Sequence, residues 1–559
     1  MSGRLRLIFL CIIASFFLVI ARLFYWQVVK AEELTFLGQS QYDTFIRLSP
    51  KRGEIKTADG FPLVANKLSY LVFANPKEVK DVKKTIDALS FLLKIDAASM
   101  SASLKRDQVW VPLKSDIDNA TKEKIDTLHL SGIGLEQQSS RFYPEASIAA
   151  QLVGFVGKND LGEDKGYFGL EGYYDRQLKG KSGIAVEIRD ALGRPILSRM
   201  NDQSGALDGR NLVLSIDRAI QFLVESKLQE GIEKYGAASG MVGIMDPRTG
   251  NILAMASFPS FDPQHYSEFS DSVYKNPFIS NLYEPGSTFK TLVMAAALDS
   301  KVIKPDTQCP VCDGPVSIGG YEIRTWNNIY YKNITMVDII RHSDNTGMVY
   351  VESALGIDRM LSYLGKFGIG ETTGIDLQGE VAQSLRPRNQ WYPLDGATVS
   401  FGQGISVTPI ELLTGFSAIA NEGKKMEPHV VSGIETQDGK TIVIAPKVVD
   451  APISSTTAKV MTEILVNAVN NGEAKWAKLK GYRIAGKTGT AQIPIAGHYD
   501  PNKTIASFLG FAPADNPKFA MLVIVDRPTT SIYGAETAAP IFFDIARDIL
   551  TYYNIPPTE

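Results

Sequence analysis

Histidine and cysteine are scarce in this chain, and the scarcity narrows what it can do. Five histidines, His129, His265, His342, His429 and His498, stand singly. They form neither an H-E-x-x-H helix nor a His/Cys cluster, so neither a catalytic metal nor any other cofactor is expected. Only three cysteines occur, Cys11, Cys309 and Cys312, which excludes a disulfide scaffold. Neither sign of charge dominates: 58 Lys and Arg face 61 Asp and Glu. That balance gives no reason to expect a nucleic-acid partner. Repeats and low-complexity tracts are missing as well. What remains is the composition of a folded globular protein, 44% hydrophobic and 21% charged. Its 559 residues leave room for two or three compact domains.

Long apolar runs are also lacking, with one exception at the start. Residues 7–21 are apolar throughout, Arg22 interrupts, and residues 23–29 continue apolar and aromatic. A membrane span needs about 20 residues, which the extended stretch supplies if the Arg22 side chain snorkels to the interface. A cleaved signal peptide is the rival reading, but no convincing small-x-small site follows Ala21. Tyr25 and Trp26 suit an interfacial belt. The expectation is a retained, single-pass anchor. Arg4 and Arg6 then place the N-terminus in the cytoplasm and the remaining chain outside.

Beyond the anchor, residues 31–235 mix strand-like runs (70–74, 109–112, 212–215) with amphipathic helices at 79–93 and 220–235. The pattern changes near residue 236. Two apolar strands, 241–245 and 251–255, flank the turn Asp246-Pro247-Arg248-Thr249-Gly250. A second hairpin is expected from 505–512 and 519–526. Between the hairpins most of the chain reads as helix and loop, and 291–298 is nearly all apolar, so that helix is expected to be buried on every side. The expected fold class is α+β: an antiparallel sheet covered by helices, preceded by an elongated α+β domain and one transmembrane helix. The expected divisions are 1–30, 31–235 and 236–559.

Three short motifs can carry chemistry. In Glu284-Pro285-Gly286-Ser287-Thr288-Phe289-Lys290, a turn places Ser287 at a helix N-terminus, where negative charge is favoured. Lys290 follows one helical turn later, on the same face. A neutral lysine can deprotonate a serine if burial or a second cation lowers its pKa. Taken alone, the motif is also an ordinary helix start. Ser343-Asp344-Asn345 lies between two helical stretches, 336–341 and 346–355, and its simplest use is an N-cap. Its functional use is proton relay by Ser343 and a carbonyl held by Asn345. Lys487-Thr488-Gly489-Thr490 sits on the edge of a strand, where Gly489 would let a ligand backbone approach. Lys487 would bind a carboxylate and depress the pKa of Lys290; taken alone, it is also a solvated lysine before a turn.

In this order the three motifs resemble the S-x-x-K, S-D-N and K-T-G signature of penicillin-binding proteins and class A β-lactamases. The chain is similar to the class B, monofunctional penicillin-binding proteins along nearly its whole length. Arg52-Gly53-Glu54-Ile55, residues 166–172, Asp246 to Met255, Pro259 to Pro263, and Ser400 to Gly404 with Thr408-Pro409 add to the likeness. Gln264 stands where that family usually has Asn.

The resemblance implies a pedestal (dimerisation-type) domain before a penicillin-binding domain, and acyl transfer between peptidoglycan stem peptides. It makes Ser287 the nucleophile, with Lys290, Ser343, Asn345 and Lys487 as catalytic partners. Thr488, Gly489 and Thr490 would bind substrate, and the backbone N–H groups of Ser287 and Thr490 would form the oxyanion hole. β-Lactams would trap Ser287. The expected partners are stem peptides, β-lactams, the bilayer, a polytopic membrane glycosyltransferase and division proteins. Glu284, the Phe401-Gly402-Gln403-Gly404 segment and the K-T-G motif with Thr488 are nearer the septal type than the elongation type. A D,D-carboxypeptidase and a non-enzymatic β-lactam sensor are the alternatives. A β-lactamase would want an E-x-x-L-N segment, and a bifunctional enzyme an E-D-x-x-F motif in the first 235 residues; neither is found. Cys309 and Cys312 lack a histidine to complete a zinc site. An oxidising compartment would bridge them, and free thiols are the other possibility.

Overall fold

The computed structural model describes residues 3–160, 162–189, 195–198, 205–495 and 498–557. The chain divides into two compact units, 1–51 with 179–209, and 52–178 with 210–559. In the first unit, the helix Gly3–Phe24 runs into a π turn, Tyr25–Val29. Together they are long and apolar enough to cross a membrane. The charge that interrupts the apolar run lies against aromatic faces: the Arg22 guanidinium is 5.4 Å from the Tyr25 ring and 5.0 Å from that of Trp26. A second helix, Ala31–Tyr42, leads into an antiparallel sheet of Asp43–Leu48, Gly183–Arg189 and Pro195–Ser198.

The second unit contains two larger sheets. One, the head sheet, runs in the order Thr441–Val443, Val431–Glu435, Asn211–Leu214, Ile55–Lys56, Pro62–Ala74 and Val111–Ile117, with Ile133–Phe142 also paired to Pro62–Ala74. Strands from late in the chain therefore complete a sheet begun near its start. Most of the chain between the two hairpins reads from sequence as helix and loop, and these late strands, five and three residues long, are too short to stand out from it. A buried carboxylate reinforces the junction. Asp376 accepts hydrogen bonds from the Tyr174 hydroxyl (2.9 Å) and from the backbone N–H groups of Val430 (2.6 Å) and Val431 (2.9 Å). The helix expected at 79–93 spans Val82–Leu93, because Asp81 caps it by accepting from the N–H of Lys84.

The other sheet is antiparallel, ordered Ile252–Phe258, Ser239–Met245, Phe519–Asp526, His498–Ala512 and Ala485–Ile495. Both expected hairpins are present in it. Helices Arg218–Tyr235 and Ala538–Tyr552 pack on this sheet. On its other face lies the helix Pro409–Ala420, buried along its whole length. Beside that helix runs Lys290–Asp299, buried from Lys290 to Leu298. A helix this apolar gains about 1.5–3 kcal/mol for each large side chain it buries, and can carry one buried lysine in consequence.

Candidate active site

Ser287 lies in a single 3-10 turn, Gly286–Thr288, that feeds the buried helix Lys290–Asp299. The turn is docked onto the segment 400–407. The N–H of Gly286 donates to Gly402 O at 3.0 Å, and Tyr283 and Val407 exchange two backbone bonds of 3.0 Å. Gly402 has φ +82°, and a Cβ there would sit 2.1 Å from the Gly286 oxygen, so only glycine allows this approach. Glu284 accepts from the N–H of Gly404 (3.0 Å) and from the Tyr499 hydroxyl (3.1 Å).

Lys290 is fully buried. Its Nζ donates to Ser343 O (2.6 Å), Asn345 Oδ1 (2.8 Å) and Ser343 Oγ (3.3 Å). Among the described residues no hydrogen bond joins it to Ser287, although the sequence places the two on one helical face. The long side chain reaches across to the neighbouring turn instead. Burial, followed by repulsion from Lys487, pulls its pKa down to about 7, against the opposing pull of Asp344 and Glu473.

The Ser343-Asp344-Asn345 turn is both a cap and part of the site. Asp344 caps the helix Asn345–Leu355, accepting from the N–H of Gly347 at 2.9 Å. With that duty assigned to Asp344, Ser343 and Asn345 are left to face Lys290. Ser343 takes φ +57°, a left-handed conformation that costs a non-glycine residue about 1 kcal/mol.

Lys487, Thr488, Gly489 and Thr490 lie on Ala485–Ile495, the edge strand of its sheet. Lys487 is buried, and its Nζ donates to the carbonyl and the hydroxyl oxygen of Thr488, both at 3.0 Å. Burial lowers its pKa, and Glu473 opposes that shift. The Thr488 hydroxyl in turn donates to Glu473 Oε2 at 2.7 Å. Thr490 Oγ1 accepts from the N–H of Gly534 at 3.0 Å. A Cβ at Gly489 would meet Ser507 Oγ at 2.3 Å and Thr288 Cγ2 at 2.9 Å, so packing against these two side chains also favours glycine there. The Ser287 turn abuts the same strand: a Cβ on Gly286 would lie 3.1 Å from Thr490 O.

Cys309 and Cys312 are buried and joined by a disulfide. The bridge stands at the root of the excursion carrying Trp326. The Trp326 ring meets that of Tyr533 edge-on at 5.6 Å, and its Nε1 donates to His342 O at 3.3 Å. Sequence reasoning missed Glu473, Trp326 and Tyr533. Glu473 is 15 residues from the threonine it binds, with no spacing rule to connect them. Glu284 opens the Ser287 motif in sequence, but its partners Gly404 and Tyr499 come from segments far along the chain.

Comparison with known proteins agrees with this geometry. Residues 240–547 match the model of the penicillin binding protein transpeptidase domain, and residues 47–214 that of the penicillin-binding protein dimerisation domain. The chain is 34% identical to stage V sporulation protein D of Bacillus subtilis, over all of this chain and 87% of that protein. It is 30% identical to peptidoglycan D,D-transpeptidase FtsI of Escherichia coli, over all of this chain and 93% of that protein. Penicillin binding protein 3 of Mycobacterium tuberculosis, solved in complex with aztreonam, superposes with a TM-score of 0.71 at 26% identity, covering 92% of this chain and 98% of that one. Motifs, fold and likeness thus converge, and the chain belongs to the penicillin-binding proteins, in their class B, transpeptidase branch.

Proposed function

We propose that Ser287 is the acylated nucleophile of this peptidoglycan D,D-transpeptidase, that Lys290 is its base, and that Lys487 is the cation receiving the substrate carboxylate. One observation carries the reading. Lys290 is buried among the neutral acceptors of Ser343 and Asn345, near a second buried cation, and is brought to about pKa 7. A lysine so placed can be neutral at physiological pH and can take the Ser287 proton.

Ser287 Oγ attacks the carbonyl between the two terminal D-alanines of a stem peptide. The N–H groups of Ser287 and Thr490 hold the oxyanion. The terminal D-alanine leaves as an amine, protonated through Ser343, and the acyl group stays on Ser287. An amine of a neighbouring stem then attacks the ester, forms the cross-link and frees the serine. Asn345 steadies the donor stem's amide, and Thr488, Gly489 and Thr490 line the cleft. β-Lactams acylate the same oxygen; the aztreonam complex of the Mycobacterium tuberculosis relative supports that ligand class.

The test is mass spectrometry of the protein after benzylpenicillin. A single adduct on the peptide carrying Ser287, absent from Ser287→Ala, is the expected result. An adduct elsewhere overturns it. With stem-peptide donor and an amine acceptor, cross-linked product separates the transpeptidase from a carboxypeptidase, which yields only the trimmed donor.

Residues 1–30 form the cytoplasmic tail and single-pass anchor in this reading, 31–235 the pedestal and 236–559 the catalytic domain, outside the membrane. The septal role rests on Glu284 and the 401–404 segment, and the likeness to the Escherichia coli protein supports it. A polytopic glycosyltransferase and division proteins would then meet residues 7–29 and the pedestal. Depletion should block division; rounded cells that still divide would speak for elongation. The Bacillus subtilis relative favours a second reading, wall synthesis during sporulation. Depletion harmless to growth but harmful to spores would select it.

A further inference from the structure

The carboxylate of Glu473 has no part in the reaction as described, yet it is tied to the Lys487 motif. The residue follows the helix Ser455–Asn471, which packs against Met336–His342 and the Lys487 strand. Gly472 brings the two helices together: a Cβ there would lie 2.9 Å from Arg341 O. Glu473 thus enters a small pocket of about 10 Å³ lined also by Arg341, Lys487 and Thr488. Such a space holds at most about one water, and Glu473, half-buried at its edge, turns its carboxylate to Thr488.

A hydroxyl has one proton to give. That of Thr488 goes to Glu473 at 2.7 Å, and the oxygen it leaves exposed accepts from Lys487 Nζ at 3.0 Å. The relay Glu473, Thr488, Lys487 thereby points every dipole so that Lys487 is best satisfied as an ammonium. It also removes the Thr488 side chain as a donor to substrate. Thr490 differs: its oxygen accepts from the N–H of Gly534, so its own proton remains to give.

We propose that Glu473 is a positioning residue for transpeptidation, turning the Thr488 hydroxyl away from the substrate and making Lys487, not Lys290, the lysine that keeps its charge. The substrate carboxylate is then met by Lys487 and the Thr490 hydroxyl. The inference rests on the assignment of Lys290 as base and deepens it. The charged groups around Glu473 are few. Lys487 lies beyond Thr488, and Arg341 is already paired with Asp338 at 2.9 Å. His342, Lys290 and Asp344 stand behind them, and Glu473 acts on both lysines and on His342 in the same direction, upward.

The experiment is the second-order rate of acylation by benzylpenicillin against pH, on the full-length protein in detergent. Acylation needs Lys290 neutral and Lys487 charged, so the wild-type rate rises through the Lys290 limb and falls through the Lys487 limb. In Glu473→Gln, which keeps an acceptor for Thr488 but loses the charge, both limbs should move to lower pH by about one unit. Glu473→Asp should restore them. A uniform loss of rate with both limbs unmoved overturns the proposal, as does a Glu473→Asp profile that shifts like that of Glu473→Gln. Melting of each variant checks folding; if Glu473→Gln melts early, the position of the limbs in Glu473→Asp decides alone. Failure of the underlying assignment looks different: the wild type itself would lack the acid limb, or Lys290→Arg would acylate normally.

Discussion

The head and the catalytic cleft both bury cations, and surround them differently. In the head, Arg52 is 2.6 Å from Glu171 and 2.8 Å from Asp175, while Arg141 reaches the other oxygen of Glu171 at 2.7 Å. Burial would pull Arg52 down, but Glu171 and then Asp175 outweigh it and raise its pKa. In the cleft, the acceptors touching Lys290 and Lys487 are carbonyl, amide and hydroxyl oxygens. Among the described residues no carboxylate touches either lysine directly. An ion pair fixes a cation's charge and serves architecture; neutral acceptors leave the proton free to move and serve chemistry. Residue type follows from this, since arginine cannot deprotonate in a protein and lysine can.

The largest test of the contrast is to put a permanent cation in the cleft. Lys290→Arg should lose about 10²–10⁴-fold in penicillin acylation, nearly as much as Lys290→Ala. Lys487→Arg should retain part of the rate, because it keeps the charge. Near wild-type acylation by Lys290→Arg beside an inactive Lys487→Arg would invert the two roles.

In the head the corresponding break is Glu171→Gln, which leaves Arg141 facing a neutral amide and Arg52 with Asp175 alone. It should destabilise that region by about 3–5 kcal/mol, seen in chemical denaturation. Replacing Arg52, Arg141 and Glu171 together by apolar residues should cost much less than the single change. If the triple variant is the worse one, the cluster contributes more than charge balance.

A milder probe is pH. Because the base must be neutral, acylation should fall roughly tenfold per unit as pH drops well below the Lys290 value of about 7. Denaturation midpoints of the head should not follow that curve. The smallest effect belongs to Tyr499→Phe, which removes one partner of Glu284 and should weaken the docking of the Ser287 turn by about 1 kcal/mol. An acylation rate unchanged at every temperature would make that contact dispensable.

The legible parts of the site were those whose function needs residues close in the chain. Ser287 and Lys290 share a helix start, and Ser343 and Asn345 flank a cap, so their motifs survive in one dimension. The two hairpins were legible because strand, turn and strand are contiguous. Glu473, the docking of Gly286 on Gly402, and the Trp326–Tyr533 contact depend on segments brought together only by folding. Local rules also left part of the reason for a residue unseen, as at Gly489: the sequence displays a glycine but not the Ser507 and Thr288 side chains packed against it.

The head sheet has a consequence for how the chain is made. Asn211 and Glu435, neighbours in that sheet and 3.0 Å apart through their side chains, are separated by 224 residues along the chain. Synthesis proceeds from the N-terminus, so the strand Asn211–Leu214 emerges with one edge unpaired and waits for Val431–Glu435. Until then it is an open template for pairing with another molecule. The nascent protein therefore passes through an interval in which its oldest part is unfinished and most prone to aggregate. A fragment ending at residue 214 would remain in that interval for good, and a shielding helper during biogenesis would act there first.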